Sequence, residues 1–466
     1  MGDPDAAARH ALDALHLLTL GKGRMPHRPG RRPAAALLVG LAAGGCDILD
    51  VSNPNDLAEE AIRDESAASA VVNGVLTLVA SSVSQSWQPY LVVSDEMRWI
   101  GSRDAWLSLD QGFVDDPLNE FVDGPFPAMG QARWMSDEAI QILTEHHGRN
   151  PSTGNTTDLA RAHLYSGIIY MVIGEVQEDF AFSDKAESGP PIGPENMYRV
   201  LDGAIERFSS AIAGFEEVGA AEMATRARAL RARARQSRAI WDAINPAPQG
   251  DGLVSAPEAG QDARDVLAAV SPDWTYDLTF SSASTTNSMA SWVNDRKENQ
   301  IDLSIATVDD QNDIDGIALT DPIDGIDDPV VIKWLNQWKG GSYLEKGGVY
   351  PPLTLASARM MHLILAENAL AGGDTGAFAT HANRIRALDG LTPYEGQIPE
   401  MEMLRHTRRV NVMLQGLRLA DMYRWGITDP KWQAVSAASS SPGTMLPISI
   451  IEIRANCHLN GQGCGG

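Results

Sequence analysis

Apolar residues recur at intervals of three to four positions over much of the chain, which is the pattern of amphipathic helices. In the segment 156–176 this stripe is continuous, and Gly167 within it predicts a close approach by another helix. A second stripe runs through 193–218, where Pro194 is placed to begin a helix. Further helices are predicted over 56–83, 125–147, 220–244 and 398–425.

The segment 355–391 predicts a helical hairpin. Two apolar runs are separated by Gly372 and Gly373, and Asp374 is placed to cap the second run. The first run is apolar on nearly all sides, so it should lie in the core. Paired helices of this length are similar to tetratricopeptide units, whose period is about 34 residues, although the tetratricopeptide consensus is not visible here.

The character of the chain changes between 246 and 354. This region is rich in Pro, Gly, Ser, Asp and Thr, and its β-prone pieces, such as WTYDLTF and PVVIKWL, are short. We therefore predict a mainly α protein. In it, 46–245 and 355–466 form a helical frame of tetratricopeptide-like helix pairs, and 246–354 forms an irregular, loop-rich region with a few short strands.

A single cysteine, Cys46, ends a short apolar run in LLVGLAAGGCDILD (37–50), and a basic cluster precedes the run. The run is shorter than the roughly 20 residues that span a membrane, and its parts fit a secretory signal peptide. The residues before Cys46 resemble the lipobox of bacterial lipoproteins, which implies that the thiol carries lipid. An ordinary signal peptide with a chance cysteine is the alternative.

These features divide the chain. We predict a lipoprotein signal peptide over 25–45 and a mature body over 46–466. Residues 1–24 carry acids ahead of the basic cluster and fit neither part. We interpret them as an additional extension or as untranslated sequence, with Met25 as the start.

The charge of the chain excludes some partners. The formal net charge is −24. Nucleic acid requires a basic surface, and anionic lipid attracts one, so neither is expected as an electrostatic partner.

Two cysteines remain near the C-terminal end, in CHLNGQGC. In the oxidising compartment that a secretory signal implies, Cys457 and Cys464 predict a disulfide. A metal site with His458 is the alternative, but two thiols and one imidazole are one ligand short of a closed zinc site. We therefore expect no metal at these residues, and we expect no cofactor.

The stretch MLQGLRLADMYRWG (413–426) resembles the C-terminal signature of SusD/RagB-family outer-membrane lipoproteins. The matching residues are Gly416, Arg418, Asp421, Arg424 and Trp425, and Gln415 stands where the family has a glutamate. Other segments also resemble the family and occur in the family's order along the chain, among them CDILDVSNPND, the helical hairpin and MLPISIIEIRANCHLNGQ. The resemblance covers most of 46–466 and is weakest between 246 and 350.

The signature also has a physical interpretation. Arg418 and Asp421 are three apart on a predicted helix, so their side chains should pair. Gly416 allows another backbone to come close, and Trp425 offers a large apolar surface where the helix ends. We interpret these residues as structural, because they would lock the last helix to the frame.

The resemblance implies a function. Members of this family are lipid-anchored on the outer face of the outer membrane, where each caps a SusC-type TonB-dependent transporter. They bind oligosaccharides, or peptides in the RagB branch, and they do no chemistry. We therefore expect a non-enzymatic nutrient-binding lipoprotein with a glycan or peptide ligand, held at the cell surface by Cys46.

Sugar-binding pockets combine aromatic faces with planar polar groups. Such residues concentrate in QSWQPYLVVSDEMRWIGSRDAW (85–106), which we expect to be a loop. Its ligand-binding candidates are Trp87, Tyr90, Trp99, Arg103 and Trp106.

A second aromatic group lies in IKWLNQWKGGSYLEKGGVY (332–350). Trp338 and Tyr343 are its ligand-binding candidates. If the segment is helical, Trp334 and Trp338 share a face, and if PVVIKWL is a strand, Trp334 belongs to the core. Core packing is the alternative role for Trp87 and Trp99, and contact with the transporter is the alternative role for either aromatic group.

The acidic segment 308–329 is similar to an EF-hand loop around Asp313, Asp315 and Gly316. Gln311 and Pro322, however, occupy positions that require calcium ligands. We expect a solvated acidic loop, with an irregular calcium site as the alternative.

Sequence motifs for enzymes are missing. The chain contains no G-x-S-x-G, no Walker loop and no H-E-x-x-H. A helical-barrel glycoside hydrolase remains an alternative, because its paired carboxylates could not be recognised among 61 acids. A helical-repeat scaffold lipoprotein that binds protein partners is the other alternative.

Overall fold

The computed structural model describes residues 62–184, 187–309, 314–339 and 348–464, with the backbone alone for 337–339. Within these residues the protein is mainly α, as predicted, and contains three two-stranded sheets. The predicted signal peptide and Cys46 lie outside the described residues.

Five long helices and two short ones pack together in the first half of the described body. These helices are α1 (Ala68–Val93), α2 (Asp104–Asp110), α3 (Glu120–Asp123), α4 (Pro125–Arg149), α5 (Thr153–Val176), α6 (Tyr198–Glu217) and α7 (Ala221–Ile244). The Ser152 side chain caps α5 by accepting a hydrogen bond from the Asn155 amide. Gly167 on α5 lies against Phe208 on α6, since an added Cβ would lie 2.5 Å from the Phe208 ring. The predicted close approach of two helices is confirmed.

Helix α1 is longer than the sequence pattern predicts. It continues to Val93, so the prediction of a helix end near 83 and a loop from 85 is wrong. Every residue from Ser86 to Val93 is buried, and this burial on all sides stabilises the helix although it contains Pro89. The span Glu65–Val93 is long and apolar enough to cross a membrane by length and composition alone, a test that core helices of soluble proteins also pass.

The loop-rich region contains more helix than we predict from the sequence. Its helices are α8 (Pro257–Leu267), the short α9 (Ser288–Ala290) with a π-type turn over Ser291–Asp295, and α10 (Pro329–Lys339). The strand prediction for PVVIKWL is wrong, because Pro329 begins a helix and the Asp328 carboxylate accepts from the Val330 amide at 2.8 Å. Trp334 on α10 is buried in the core.

Among the described residues, three short antiparallel strand pairs lie in or beside the loop-rich region, and two of them join it to strands that flank helices of the frame. The pairs are β1 (Met97–Trp99) with β3 (Asn299–Ile301), β2 (Thr275–Leu278) with β6 (Leu353–Ser357), and β4 (Ala306–Val308) with β5 (Ile314–Ile317). Because β1 follows α1 directly, its pairing with β3 brings α2 close to the segment that precedes β3.

The predicted helical hairpin is confirmed. It consists of α11 (Ala358–Ala371) and α12 (Thr375–Arg386). The Asp374 carboxylate accepts from the Ala377 amide at 2.9 Å, and Gly373 has a φ of 76°. Helix α11 is buried on most sides, as its composition predicts.

The prediction of one helix over 398–425 is wrong. The segment forms two helices, α13 (Glu400–Asn411) and α14 (Arg418–Arg424), which are followed by α15 (Ala437–Ser440) and α16 (Ile450–Ala455). The chain turns between α13 and α14, where Leu414 and Gly416 adopt left-handed φ angles of 60° and 69°. The Leu414 amide donates to the Glu96 carboxyl at 2.7 Å, which fixes this turn to the end of α1.

Candidate ligand-binding site

The family-signature residues belong to a buried ion-pair network around α14. Arg418 pairs with Asp95 at 2.6 and 2.7 Å. Asp421 accepts from Arg408 at 2.6 Å and from Arg424 at 2.9 Å. The predicted pairing of Arg418 with Asp421 is therefore wrong, because the partner of Arg418 comes from the end of α1.

The network satisfies its charges within the fold. Arg424 also pairs with Glu367 on α11, and both side chains are fully buried. Burial alone would raise the pKa of Asp421, but the guanidinium groups of Arg408 and Arg424 hold that pKa below its ordinary value. Asp421 is therefore ionised at neutral pH, which supports the structural interpretation of the signature.

Trp87 and Tyr90, two of the ligand-binding candidates, lie in the core beside this network. A Cβ added at Gly416 would lie 2.6 Å from the indole nitrogen of Trp87. The Tyr90 hydroxyl accepts from the Ala420 amide at 3.0 Å. Trp425 is also buried, with the guanidinium of Arg424 4.0 Å from its ring centroid. The structure thus gives Trp87 and Tyr90 packing partners and no exposed face.

The other candidates are distributed over several places. Trp99 is half-buried on β1 and packs against the core. Trp338 lies in α10, where only the backbone is described, and Tyr343 lies outside the described residues. Arg103 and Trp106 come together at a cavity.

This cavity has a volume of about 370 Å³ and opens beside α2. Its walls come from the C-terminal part of α1, from α2 and α3, from the start of α4 and from the segment 288–296. The lining residues are Gln85, Gln88, Arg103, Trp106, Glu120, Phe121, Gly124, Pro125, Ser288, Trp292 and Arg296.

Three aromatic rings form one wall of the cavity. Trp106 and Phe121 stack with centroids 3.6 Å apart and an angle of 9° between the rings. Trp292 meets both rings edge-on, at 5.6 Å from Trp106 and 5.0 Å from Phe121. Trp106 is 1% exposed, whereas Trp292 is only half-buried, so Trp292 offers the accessible aromatic surface.

Buried polar contacts hold the cavity walls in place. The Glu298 carboxylate accepts from the backbone amides of Ser102 and Arg103 at 2.8 and 3.1 Å, which fixes the start of α2. The Gln88 amide on α1 donates to the Asn299 side chain on β3 at 2.7 Å. Both contacts tie the helical frame to the loop-rich region at the cavity, so its shape depends on both parts of the chain.

The arrangement suits binding and offers no catalytic pair. A concave surface with aromatic walls and a few convergent polar groups is the usual form of a small-ligand site. In the described part of the chain, Glu120 contributes the only carboxylate that lines this cavity. A glycoside hydrolase needs two carboxylates across the bond that it cleaves.

A second crevice lies beside the ion-pair network. Tyr90, Glu178, Trp241 and Gly416 are among the residues that line it. Its volume of about 30 Å³ holds about two water molecules, which is too little for a sugar ring.

The described residues give little support to a metal site. Cys457 and Cys464 are joined by a disulfide, so their thiolates cannot bind metal. Asp321 and Asp328 approach His406 within 4.8 Å, but Asp321 is already paired with Arg386 at 2.6 Å. Asp313 of the acidic segment lies outside the described residues.

Sequence reasoning missed most of the cavity. Glu120, Phe121, Trp292 and Arg296 line it and were not among the predicted site residues. One signal was present, because SWVNDRKEN (291–299) combines a tryptophan with planar polar side chains in the way that 85–106 does.

No family model matches the chain, and no curated protein matches it by sequence. Solved structures do match it. A SusD superfamily protein from Bacteroides fragilis is 13% identical, with a TM-score of 0.59 over 85% of this chain and 98% of that one. A SusD homolog from Bacteroides thetaiotaomicron is 11% identical, with a TM-score of 0.57 over 85% and 96%.

A third solved structure adds a binding description. It is a candidate sugar-binding protein from Bacteroides vulgatus, 12% identical, with a TM-score of 0.55 over 84% of this chain and 96% of that one. Likeness at such low identity concerns the fold, and it extends over nearly the whole of each solved chain. The body therefore has the fold of SusD superfamily proteins.

Proposed function

We propose that this chain, which has the fold of SusD superfamily proteins, is a surface-exposed lipoprotein that binds oligosaccharides and delivers them to a TonB-dependent outer-membrane transporter. The cavity beside α2 is the ligand site in this proposal. Trp292, Arg103 and Arg296 are its main contacts, with Trp106 and Phe121 packed behind Trp292, and the protein carries out no chemistry on the ligand.

The observation that carries the proposal is the combination of Trp292 with polar side chains in one cavity. Sugar rings present C–H patches that pack on aromatic faces and hydroxyl groups that need planar polar partners. Trp292 offers a half-exposed ring, and the cavity adds two guanidinium groups, one carboxylate and two side-chain amides. A volume of about 370 Å³ accommodates a small saccharide.

Anchoring and delivery are supported by the sequence. Cys46 follows a signal-like segment, and residues 47–61 separate it from the first described residue. Lipid on Cys46 would hold the body at the membrane, since two or more acyl chains anchor a protein stably. The signature around Arg418 resembles that of proteins that cap SusC-type transporters.

The test of ligand binding uses the purified full chain on glycan and peptide arrays. We expect binding to at least one oligosaccharide, and a loss of affinity of about tenfold or more in Trp292→Ala, as for a central aromatic contact. Trp241→Ala is the matched control, because Trp241 is also half-buried but lies on α7 away from the cavity. Peptide binding alone, or equal losses in both variants, would refute the proposed site.

The test of delivery is co-purification. A tagged full chain extracted from native membranes should bring down a large outer-membrane barrel with a plug domain. Recovery of soluble periplasmic proteins without a barrel would favour the scaffold alternative.

A further inference from the structure

The charge of the cavity differs from the charge of the whole chain. The formal net charge of the protein is −24. Among the residues that line the cavity, Arg103 and Arg296 are cationic and Glu120 is anionic, so the lining is positive by one charge. In a protein with 61 acids and 37 basic residues, the cavity lining therefore has the opposite sign of charge to the whole chain.

Both guanidinium groups lie close to the aromatic ring that is accessible to ligand. The Arg103 and Arg296 guanidinium carbons are each 5.5 Å from the centroid of the Trp292 ring. A sugar ring packed on Trp292 would therefore have two planar cations within reach of its substituents. Guanidinium groups bind carboxylates and sulfates through paired, charged hydrogen bonds. These bonds are stronger than the bonds that a guanidinium makes with sugar hydroxyl groups.

Arg296 is held in position without an ion pair. Its backbone amide donates to the Ser291 carbonyl at 2.8 Å, at the end of the π-type turn. Its side chain is exposed, and no carboxylate among the described residues pairs with it. The guanidinium can therefore accept an anionic partner from outside.

A backbone hydrogen bond holds Arg103 in position, and its side chain forms an ion pair that a ligand could replace. Its amide donates to the buried Glu298 carboxylate at 3.1 Å. Its guanidinium pairs with Glu120 at 3.1 Å, and the two side chains are 41% and 53% exposed. An exposed pair of this kind contributes little to stability, so an anionic ligand could compete with Glu120 for Arg103.

We propose that the cavity selects anionic saccharides. The carboxylate of a uronic acid, or a sugar sulfate, binds Arg296 and Arg103, while the adjoining ring packs on Trp292. This inference rests on the proposed saccharide site. Long-range repulsion from the acidic body is screened beyond about 8 Å at physiological salt, so the two guanidinium groups in contact dominate.

The test compares glycans that differ only in charge. The full chain is titrated with oligouronates and sulfated oligosaccharides of several backbones, each beside its carboxyl-reduced or desulfated counterpart. We expect at least one acidic glycan to bind, and its neutral counterpart to bind about tenfold or more weakly, because one charged hydrogen-bonded contact is lost. The pair that shows the loss identifies carboxylate or sulfate as the recognised group.

Two arginine variants locate the effect. Arg296→Gln should weaken binding of the acidic glycan about tenfold or more. Arg264→Gln, which alters an exposed arginine on α8, should leave this affinity unchanged. Equal losses in both variants would overturn the inference.

The outcomes separate the two proposals. Equal affinity for acidic and neutral members of every pair would overturn charge selection and leave the saccharide site standing. Binding of no glycan, acidic or neutral, would overturn the saccharide site itself. Weaker binding of the acidic members would show that Arg296 and Arg103 serve another purpose, and it would also overturn charge selection.

Discussion

Asp95 and Arg418 are 323 positions apart and form a two-bond ion pair, with Nε–Oδ1 at 2.6 Å and Nη2–Oδ2 at 2.7 Å. Asp95 lies just after α1, and Arg418 begins α14. The pair therefore joins the helix that forms one wall of the cavity to the segment that carries the family-like signature. Its position gives Arg418 a structural role although Asp421 is not its partner.

Asp95→Asn should destabilise the fold by about 3–5 kcal/mol, because it leaves the buried Arg418 guanidinium without its counter-charge. Urea denaturation gives the free energy of unfolding. Glu222→Gln is the control, since it breaks an exposed pair with Arg226 and should change that free energy by less than about 1 kcal/mol. A similar small change in both variants would contradict this role for Asp95.

Gly416→Ala should destabilise the fold by more than the ordinary left-handed cost of about 1–2 kcal/mol. Gly416 has a φ of 69°, and an added Cβ would also lie 2.6 Å from the Trp87 indole. Gly390 has nearly the same φ, 70°, but nothing lies within 4 Å of its added Cβ. Thermal unfolding of the two alanine variants should therefore show the larger drop for Gly416→Ala, and equal drops would show that Trp87 is not packed on Gly416.

Stability should fall as the pH rises from about 5 to about 8. Burial raises the pKa of Glu96 from 4.5 to about 8, so the folded protein keeps a proton that the unfolded chain has released. Unfolding therefore releases a proton, so the free energy of unfolding falls by up to about 1.4 kcal/mol per pH unit in this window. Glu96→Gln, which cannot ionise, should flatten the curve of unfolding free energy against pH.

Glu222→Gln is the control for this pH dependence and should keep the slope of the wild-type protein. Parallel curves for wild type and Glu96→Gln between pH 5 and 8 would mean that Glu96 is ionised in the fold.

The sequence was sufficient where local chemistry determines structure. Asp374 and Gly373 define the hairpin because capping and left-handed turns depend on neighbouring residues. Gly167 revealed a close helix contact for the same reason, since only a glycine lets Phe208 lie so near.

The sequence was insufficient where contacts between distant residues determine the local structure. The end of α1 is helical because other elements bury it, and no local pattern shows this burial. The helix over 398–425 is interrupted because Glu96 accepts from the Leu414 amide. The cavity forms where the β1–β3 pairing brings Trp106 to Trp292. From the sequence we could therefore predict only the residues that 85–106 contributes to it.

Cys46→Ser should release the protein from the membrane fraction, because it removes the thiol that the lipobox resemblance assigns to lipid. Incorporation of labelled palmitate should be lost in the same variant. Cys457→Ser is the control and should leave the protein in the membrane fraction, since Cys457 is bonded to Cys464. Retention of Cys46→Ser in the membrane would show that the anchor lies elsewhere.

The most direct measurement is a crystal structure of the protein with the oligosaccharide that it binds most tightly. The proposal predicts a sugar ring within about 4 Å of the Trp292 ring, inside the cavity lined by Arg103 and Trp106. A saccharide bound elsewhere, with this cavity empty, would contradict the proposed site.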